Sequence, residues 1–260
     1  MTKIEAMRLG GKILARVLDE TAHQVRAGIT GIELDKYAES EIVKAGGKPA
    51  FKGYEGYPAS LCVSVNDEVV HGIPDNVPIK TGDLVSLDLG VEYQGYFTDA
   101  AVTVIATETG CKTLRDIYDD KIDKNLKLYE SERLLYVTYY SLSKAINTIK
   151  NGVTTGDIGH FIQNYAEENH FGVVRDLVGH GVGEAIHQKP NVPNFGNAGS
   201  GDVLHTGDTI AIEPMLTMRD WHVKQDNDGW TVRTRDQSWA AHFEHTVVVT
   251  ENGCEILTLI

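Results

Sequence analysis

Four acidic residues of this 260-residue chain stand where acids are costly, inside runs of apolar residues. Asp88 ends TGDLVSLD (81–88) and Glu213 ends TGDTIAIE (206–213). Asp99 lies in FTDAAVTV (97–104) and Glu244 in HFEHTVVV (242–249). Asp is depleted in strands, and burying several unpaired carboxylates is prohibitive. A turn-like stretch, Glu92-Tyr93-Gln94-Gly95, separates the first pair. A hairpin centred between Tyr93 and Gln94 is expected to set Asp88 opposite Asp99, with Cβ atoms about 4.5–5.5 Å apart. Like charges at that separation repel unless a cation or a proton intervenes. One such acid alone reads as a solvated strand end; four at equivalent places do not. Two divalent cations cancel the formal charge of four carboxylates and make the cluster tolerable.

Histidine adds nitrogen ligands. GHGVGEAIH (179–187) carries His180 and His187 among glycines that let backbone approach a site closely, and His71 lies in VVHGIP (69–74). Of the ten histidines, His23, His160, His170, His205, His222 and His242 read as ordinary surface or core residues. Strand alternation aims His245, next to Glu244, at the opposite face. Carboxylates with imidazole and no cysteine suit Mn, Fe, Co or Zn. A structural zinc site would want a closed Cys/His set, and no CxxC occurs. A pair of such ions is a hydrolase feature: they activate a water and polarise a carbonyl.

The elements that must carry these residues repeat. RAGITGIEL (26–34) and KNGVTTGDI (150–158) share a pattern at a shift of 124 residues, and the two TGD segments match at a shift of 125. We read two half-domains of similar plan facing each other, which would bring two hairpins face to face and pool the four acids centrally. Thr30-x-x-Glu33 and Thr154-x-x-Asp157 are capping-box helix starts. Leu34, Tyr37, Ala38 and Ile42 follow at helical spacing, as do Ile158, Phe161, Ile162 and Tyr165. The opening segment, with Ile4, Met7, Leu14, Val17 and Leu18, reads as an amphipathic helix despite Gly10-Gly11. Helices followed by strands in each half predict an α+β fold.

Composition excludes other classes. Apolar residues are 42% and the net charge is −13, which fits a globular protein and argues against a uniform basic face for nucleic acid. Cys62, Cys111 and Cys254 are odd in number and scattered, so a disulfide framework is not expected and a reducing compartment is. No signal peptide or eighteen-residue apolar run is seen, which predicts a cytoplasmic protein with no membrane partner.

The segments 53–74, 81–101, 179–190, 209–216 and 229–257, in this order and over nearly the whole chain, resemble those of type I methionine aminopeptidases. The resemblance implies the pita-bread fold, two pseudo-symmetric halves around a dinuclear site, in one catalytic domain. It implies that Asp88 chelates one metal, Asp99 and Glu244 bridge both, and His180 and Glu213 complete the other site. Glu213 would shuttle the proton of the attacking water. His71 would lie near the scissile amide, and His187 would hydrogen-bond the carbonyl oxygen. The methionine pocket would map to Tyr54, Tyr57, Cys62 and Trp230, with Phe51 and Ile186 as further candidates; aromatic and polarizable groups suit a thioether. The activity implied is removal of the initiator methionine from nascent chains whose next residue is small and uncharged. Expected with it are Co, Mn, Fe or Zn as cofactor, transient ribosome association, a monomer, and the short bacterial-type form without an N-terminal zinc-finger extension.

One stretch departs from that pattern. The charged segment of about 108–131, between an N-terminal half (1–107) and a C-terminal half (132–260), is longer than the family usual. It reads as a solvated peripheral helix or loop, with a lid or docking surface as the functional alternative. Three rivals fit less well: a proline-specific or creatinase-like hydrolase on the same scaffold, which usually carries an extra N-terminal domain; a metal-free binding relative, against which the five expected ligands speak; and a structural acidic protein with surface carboxylates, against which the apolar neighbours of Asp88 and Glu213 speak.

Overall fold

The computed structural model describes residues 1–119 and 129–259. Five α-helices are described: α1 (Lys3–Ala22), α2 (Gly31–Lys44), α3 (Leu114–Asp119), α4 (Glu130–Ile146) and α5 (Thr155–Glu168). Capping boxes form where the sequence predicts them. The Thr30 hydroxyl accepts from the Glu33 N–H and the Thr154 hydroxyl from the Asp157 N–H, with the acid returning to the cap's own N–H each time. The repeat extends to loop details. Thr30 bridges Pro78 and Thr154 bridges Val203. Gly28 donates to the Ile79 carbonyl and Gly152 to the Leu204 carbonyl, each at 2.8 Å. Gly10-Gly11 does not break α1, because close packing needs it: a Cβ on Gly11 would lie 2.2 Å from the Leu257 carbonyl oxygen.

The main sheet is antiparallel. Its site-bearing strands are β1 (Leu61–Val65), β2 (Leu84–Tyr93), β3 (Tyr96–Ala106), β4 (Gly179–Gly181), β5 (Thr209–Ile212) and β6 (Glu244–Val249). Across the sheet they run β1-β2-β3-β6-β5-β4. Strands β2 and β3 of the first half thus correspond to β5 and β6 of the second, about an axis between β3 and β6. This corrects the expectation that the two hairpins face each other. They lie edge to edge in one sheet, joined at a seam where Glu244 pairs with Ala101 and His245 with Ala100.

The register within the first hairpin also differs from expectation. Tyr93 pairs with Tyr96, so the turn is Gln94-Gly95, both at positive φ (54° and 83°). Asp88 therefore pairs with Ala101, and Asp99 with Gly90. The two acids are diagonal neighbours. A shift of two residues keeps both on the same face, because side chains alternate with period two.

That alternation separates two environments. Val85, Leu87, Leu89, Ala100 and Val104 pack under α1 and α2, and Ile210, Ile212, Val247 and Val249 under α4 and α5. Asp88, Asp99, Ala211, Glu244 and Thr246 take the opposite face. His245 turns to the helix side as expected, where its Nδ1 meets Thr258 Oγ1 at 3.0 Å and burial pushes its pKa down to about 4.

Between β5 and β6 the chain makes a long excursion. It includes a ribbon, Val223–Gln225 with Val232–Thr234, that pairs with the strand Glu68–Val70. Arg233 fastens this ribbon, reaching Asp67 at 3.0 Å and Glu68 and Asp226 at 2.5 Å. The fastening matters because Trp230 sits at one end of the ribbon and His71 follows the paired strand. Of the charged connection between the halves, residues 120–128 lie outside the described residues. Its first part is not wholly peripheral: Cys111–Lys112 pairs with Ile105–Ala106, and Ile117 is buried in the second half's core.

Candidate metal centre and substrate cavity

One rung of the sheet runs Cys62, Asp88, Ala101, Glu244 across four strands. Asp99 stands one step away on the same face, and His180, opposite Ala211, lies two strands from the seam. Glu213 follows β5 directly, beside Pro214. Asn194 Nδ2 holds the Glu213 carbonyl at 2.9 Å. These five side chains form overlapping ligand groups: Asp88, Asp99 and Glu244 in one, His180, Glu213 and Glu244 in another, with ligand atoms within 4.8 Å of one another. A third group joins Asp99 to His180 and His187.

The electrostatics of this face call for cations. Burial pushes Asp88 up to about 7, with His242 opposing and Glu213 adding to the rise, and burial together with the neighbouring acids raises Asp99 and Glu244 well above the ordinary carboxylate range. Asp88 Oδ1, Asp99 Oδ1 and Glu244 Oε1 are buried without a hydrogen-bond partner. Carboxylate oxygens can be satisfied by a donor or a metal, and orphaned ones in this density fit divalent ions. Glu213 differs: burial opposes its charge, but the surrounding His242, His180 and His71 imidazoles hold it below the ordinary value. His180 is already oriented. Its Nδ1 lies 3.0 Å from the Gly181 carbonyl, which only an N–H can satisfy. That leaves Nε2 with a free lone pair, 3.6 Å from Glu213 Oε1 and 3.9 Å from Asp99 Oδ2.

The same cavity is lined by Phe51, Tyr54, Tyr57, Cys62, His71, His187 and Trp230. Ile186 is not among the lining residues but packs in the apolar cluster behind them. Tyr57 meets Trp230 edge to face with centroids 5.1 Å apart, and Tyr54 meets His187 at 5.2 Å. The Tyr57 hydroxyl donates to the Gly72 carbonyl at 2.9 Å, which fixes the ring against the loop carrying His71. Phe51 can reach the cavity because Gly90 has no side chain; a Cβ there would lie 2.7 Å from the Phe51 ring. Burial raises the Cys62 thiol well above its ordinary value, so it stays a neutral, polarizable wall. His71 sits at φ 59°, a conformation costly for any residue but glycine, and burial keeps its imidazole neutral. His187 reaches the cavity mouth with its outer edge in solvent. Desolvation of the rest, then the adjacent His180 ring, pushes it down to about 4. Both imidazoles are therefore neutral donors at pH 7.

His242 was expected to be ordinary, and its position corrects that. It is 1% exposed, and its Nε2 lies 3.5 Å from Glu213 Oε2. The sequence held a usable signal: His242 precedes Glu244 by two, so alternation puts both on one face.

Known proteins resemble this chain over nearly its whole length. The sequence pattern of metallopeptidase family M24 matches residues 5–251. Methionine aminopeptidase of Clostridium perfringens is 45% identical over 260 residues, 99% of this chain and 96% of the relative. Methionine aminopeptidase 1 of Bacillus subtilis is 41% identical over 254 residues, 98% of this chain and 95% of the relative. The crystal structure of methionine aminopeptidase from Thermotoga maritima superposes with a TM-score of 0.90 at 44% identity, covering 99% of this chain and 97% of that one. An X-Pro aminopeptidase from the same organism shares the fold at 21% identity (TM-score 0.72), with 99% of this chain matching 60% of the longer one. The chain belongs to metallopeptidase family M24 and has the pita-bread fold.

Proposed function

We propose that this member of metallopeptidase family M24 is a divalent-metal-dependent methionyl aminopeptidase that removes the initiator methionine from nascent polypeptides whose second residue is small and uncharged. The observation that carries the reading is the placement of five ligand-type side chains on one buried sheet face, beside a pocket walled by aromatic rings and a thiol. We assign two ions to it. Asp88, Asp99 and Glu244 would hold one, and His180 and Glu213, with the shared Asp99 and Glu244, would hold the other. Three buried carboxylates with an oxygen lacking a hydrogen-bond partner, beside an ionised Glu213, support that number.

Bound divalent ions supply Lewis acidity and an activated water. The chain's own groups do the rest. Tyr54, Tyr57, Cys62 and Trp230, with Phe51, take the methionine side chain, whose thioether is well matched to ring edges and sulfur. His187 donates a neutral hydrogen bond to the scissile carbonyl oxygen, and gains strength as charge develops there. His71 sits by the scissile amide and orients it. Glu213, kept ionised by its imidazole neighbours, accepts a proton from the attacking water and returns it to the departing amine. Glu213, ionised and beside the proposed metal centre, is assigned as the base.

Exclusion of a bulky second residue follows if the pocket closes beyond the first. No described helix is long and apolar enough to cross a membrane. With nascent chains as substrate, a cytoplasmic monomer in transient contact with the ribosome is the accompanying proposal. The test is reconstitution of metal-free protein with Mn, Fe, Co or Zn, one at a time, with methionine release from Met-Ala-Ser as readout. Metal-dependent release is expected. Cleavage of Xaa-Pro peptides instead, or a folded protein that takes up no divalent ion, would overturn the reading.

A further inference from the structure

The seam between the halves is sealed by two threonines. Extending the pairing of Ala101 with Glu244 along the strands puts Thr246 opposite Asp99 and Thr103 opposite His242. At each place a side-chain hydroxyl stands in for the backbone ladder. The Asp99 N–H donates to Thr246 Oγ1 at 2.9 Å, and that hydroxyl donates to the Asp99 carbonyl at 2.8 Å. The His242 N–H donates to Thr103 Oγ1 at 2.9 Å, and that hydroxyl donates to the His242 carbonyl at 2.7 Å. The single Thr103 hydroxyl proton is thus committed, so Ser86 Oγ, 2.8 Å away, is the donor to it. A residue of the first half therefore fixes the backbone of His242 in the second.

What His242 does from that place is readable from its surroundings. Both ring nitrogens are buried without a hydrogen-bond partner. Nε2 approaches Glu213 Oε2 at 3.5 Å, while the other carboxylate oxygen, Oε1, lies 3.6 Å from His180 Nε2. His242 joins none of the ligand groups among the described residues. The Glu213 backbone is held by Asn194 at its carbonyl, and the following Pro214 restricts its ψ. The carboxylate's rotation is left to its side-chain neighbours.

We propose that His242 is a positioning residue for Glu213: its Nε2–H holds the outer oxygen Oε2, so that Oε1 stays turned toward His180 and the metal centre, and Thr103 keeps His242 in place to do so. The inference rests on the methionyl aminopeptidase reading. Wild-type release of methionine tests that parent reading, and the variants are measured relative to it.

Residues that orient a metal ligand cost roughly 10–100-fold in metal affinity or activity when removed. His242→Ala is expected to lower kcat by that order with KM nearly unchanged, and to weaken Mn2+ binding measured by calorimetry on the metal-free protein. His242→Gln, whose amide places a donor near the same point, is expected to recover most of both. Thr103→Val is expected to lose part of the same activity in the wild-type background and almost nothing further in His242→Ala. Kinetics and Mn2+ affinity of folded His242→Ala within twofold of wild type overturn the proposal. So does a folded His242→Gln as damaged as His242→Ala. A Thr103→Val loss of full size in both backgrounds overturns its action through His242.

Discussion

The two halves share a strand plan but join their strands differently. Strands β2 and β3 are linked by Gln94-Gly95 alone, whereas β5, with Glu213 directly after it, and β6 are separated by the excursion over residues 214–243. The shared part supplies Asp88 and Asp99 from one half and His180, Glu213 and Glu244 from the other. The unshared part supplies Trp230 and His242 and carries the ribbon that Arg233 fastens beside His71. On the proposed assignment the metal ligands come from the shared strand plan, and the excursion adds Trp230 to a pocket whose other walls, Phe51, Tyr54, Tyr57 and Cys62, come from the first half. A tight turn has no room for a pocket wall; a long excursion does, at little additional entropic cost per residue of loop.

The largest effect should come from the seam. Asp99→Ala or Glu244→Ala removes an acid shared by both proposed ions, and is expected to strip both and reduce kcat/KM by about 10³-fold or more. Elemental analysis with turnover checks it; a variant that kept two ions would break the assignment of shared ligands to this place. Metal removal should also expose the strain among the acids. The folded pKa of Asp88, about 7, is above the unfolded value near 4. Between those values the fold binds the extra proton, so metal-free protein loses this stability as pH rises. Asp88→Asn removes the titration. Its melting temperature relative to metal-free wild type should rise from pH 5 to pH 7, and a constant difference would contradict the buried-acid argument.

Smaller effects should follow away from the ligands. His187→Ala is expected to keep metal and lose about 10²-fold in kcat, since it removes one donor to developing charge; metal loss would make His187 a ligand. Trp230→Ala, in the unshared excursion, is expected to raise KM for Met-Ala-Ser about 10-fold with metal content unchanged. A fall in metal content there would blur the division between the halves. The smallest test is the most symmetric. Thr30→Ala and Thr154→Ala should each cost about 1 kcal/mol, read as similar shifts in thermal unfolding.

Much of this was legible in the chain because the repeat occurs in capping and turn residues, whose roles are local. Thr30 and Glu33, Thr154 and Asp157, and the TGD turns announce their structure without any tertiary contact. The faces of Asp88, Asp99, Glu244 and His245 were legible from alternation alone. The register was not: Gln94 lacks the turn chemistry of Asn-Gly or Asp-Gly, so nothing marked the turn as one residue later than predicted. The edge-to-edge seam was equally hidden. Alternation states which way a side chain points, but not whether the strand's neighbour lies beside it or across from it. For His242 alternation gives the face it shares with Glu244, but its distance to Glu213 depends on the return of the excursion, which no local pattern encodes.

One half contributes Asp88 and Asp99, the other His180, Glu213 and Glu244, and neither owns a complete set. Either half alone therefore lacks part of the proposed ligand set, and the pairing of β3 with β6 is what brings the two parts together.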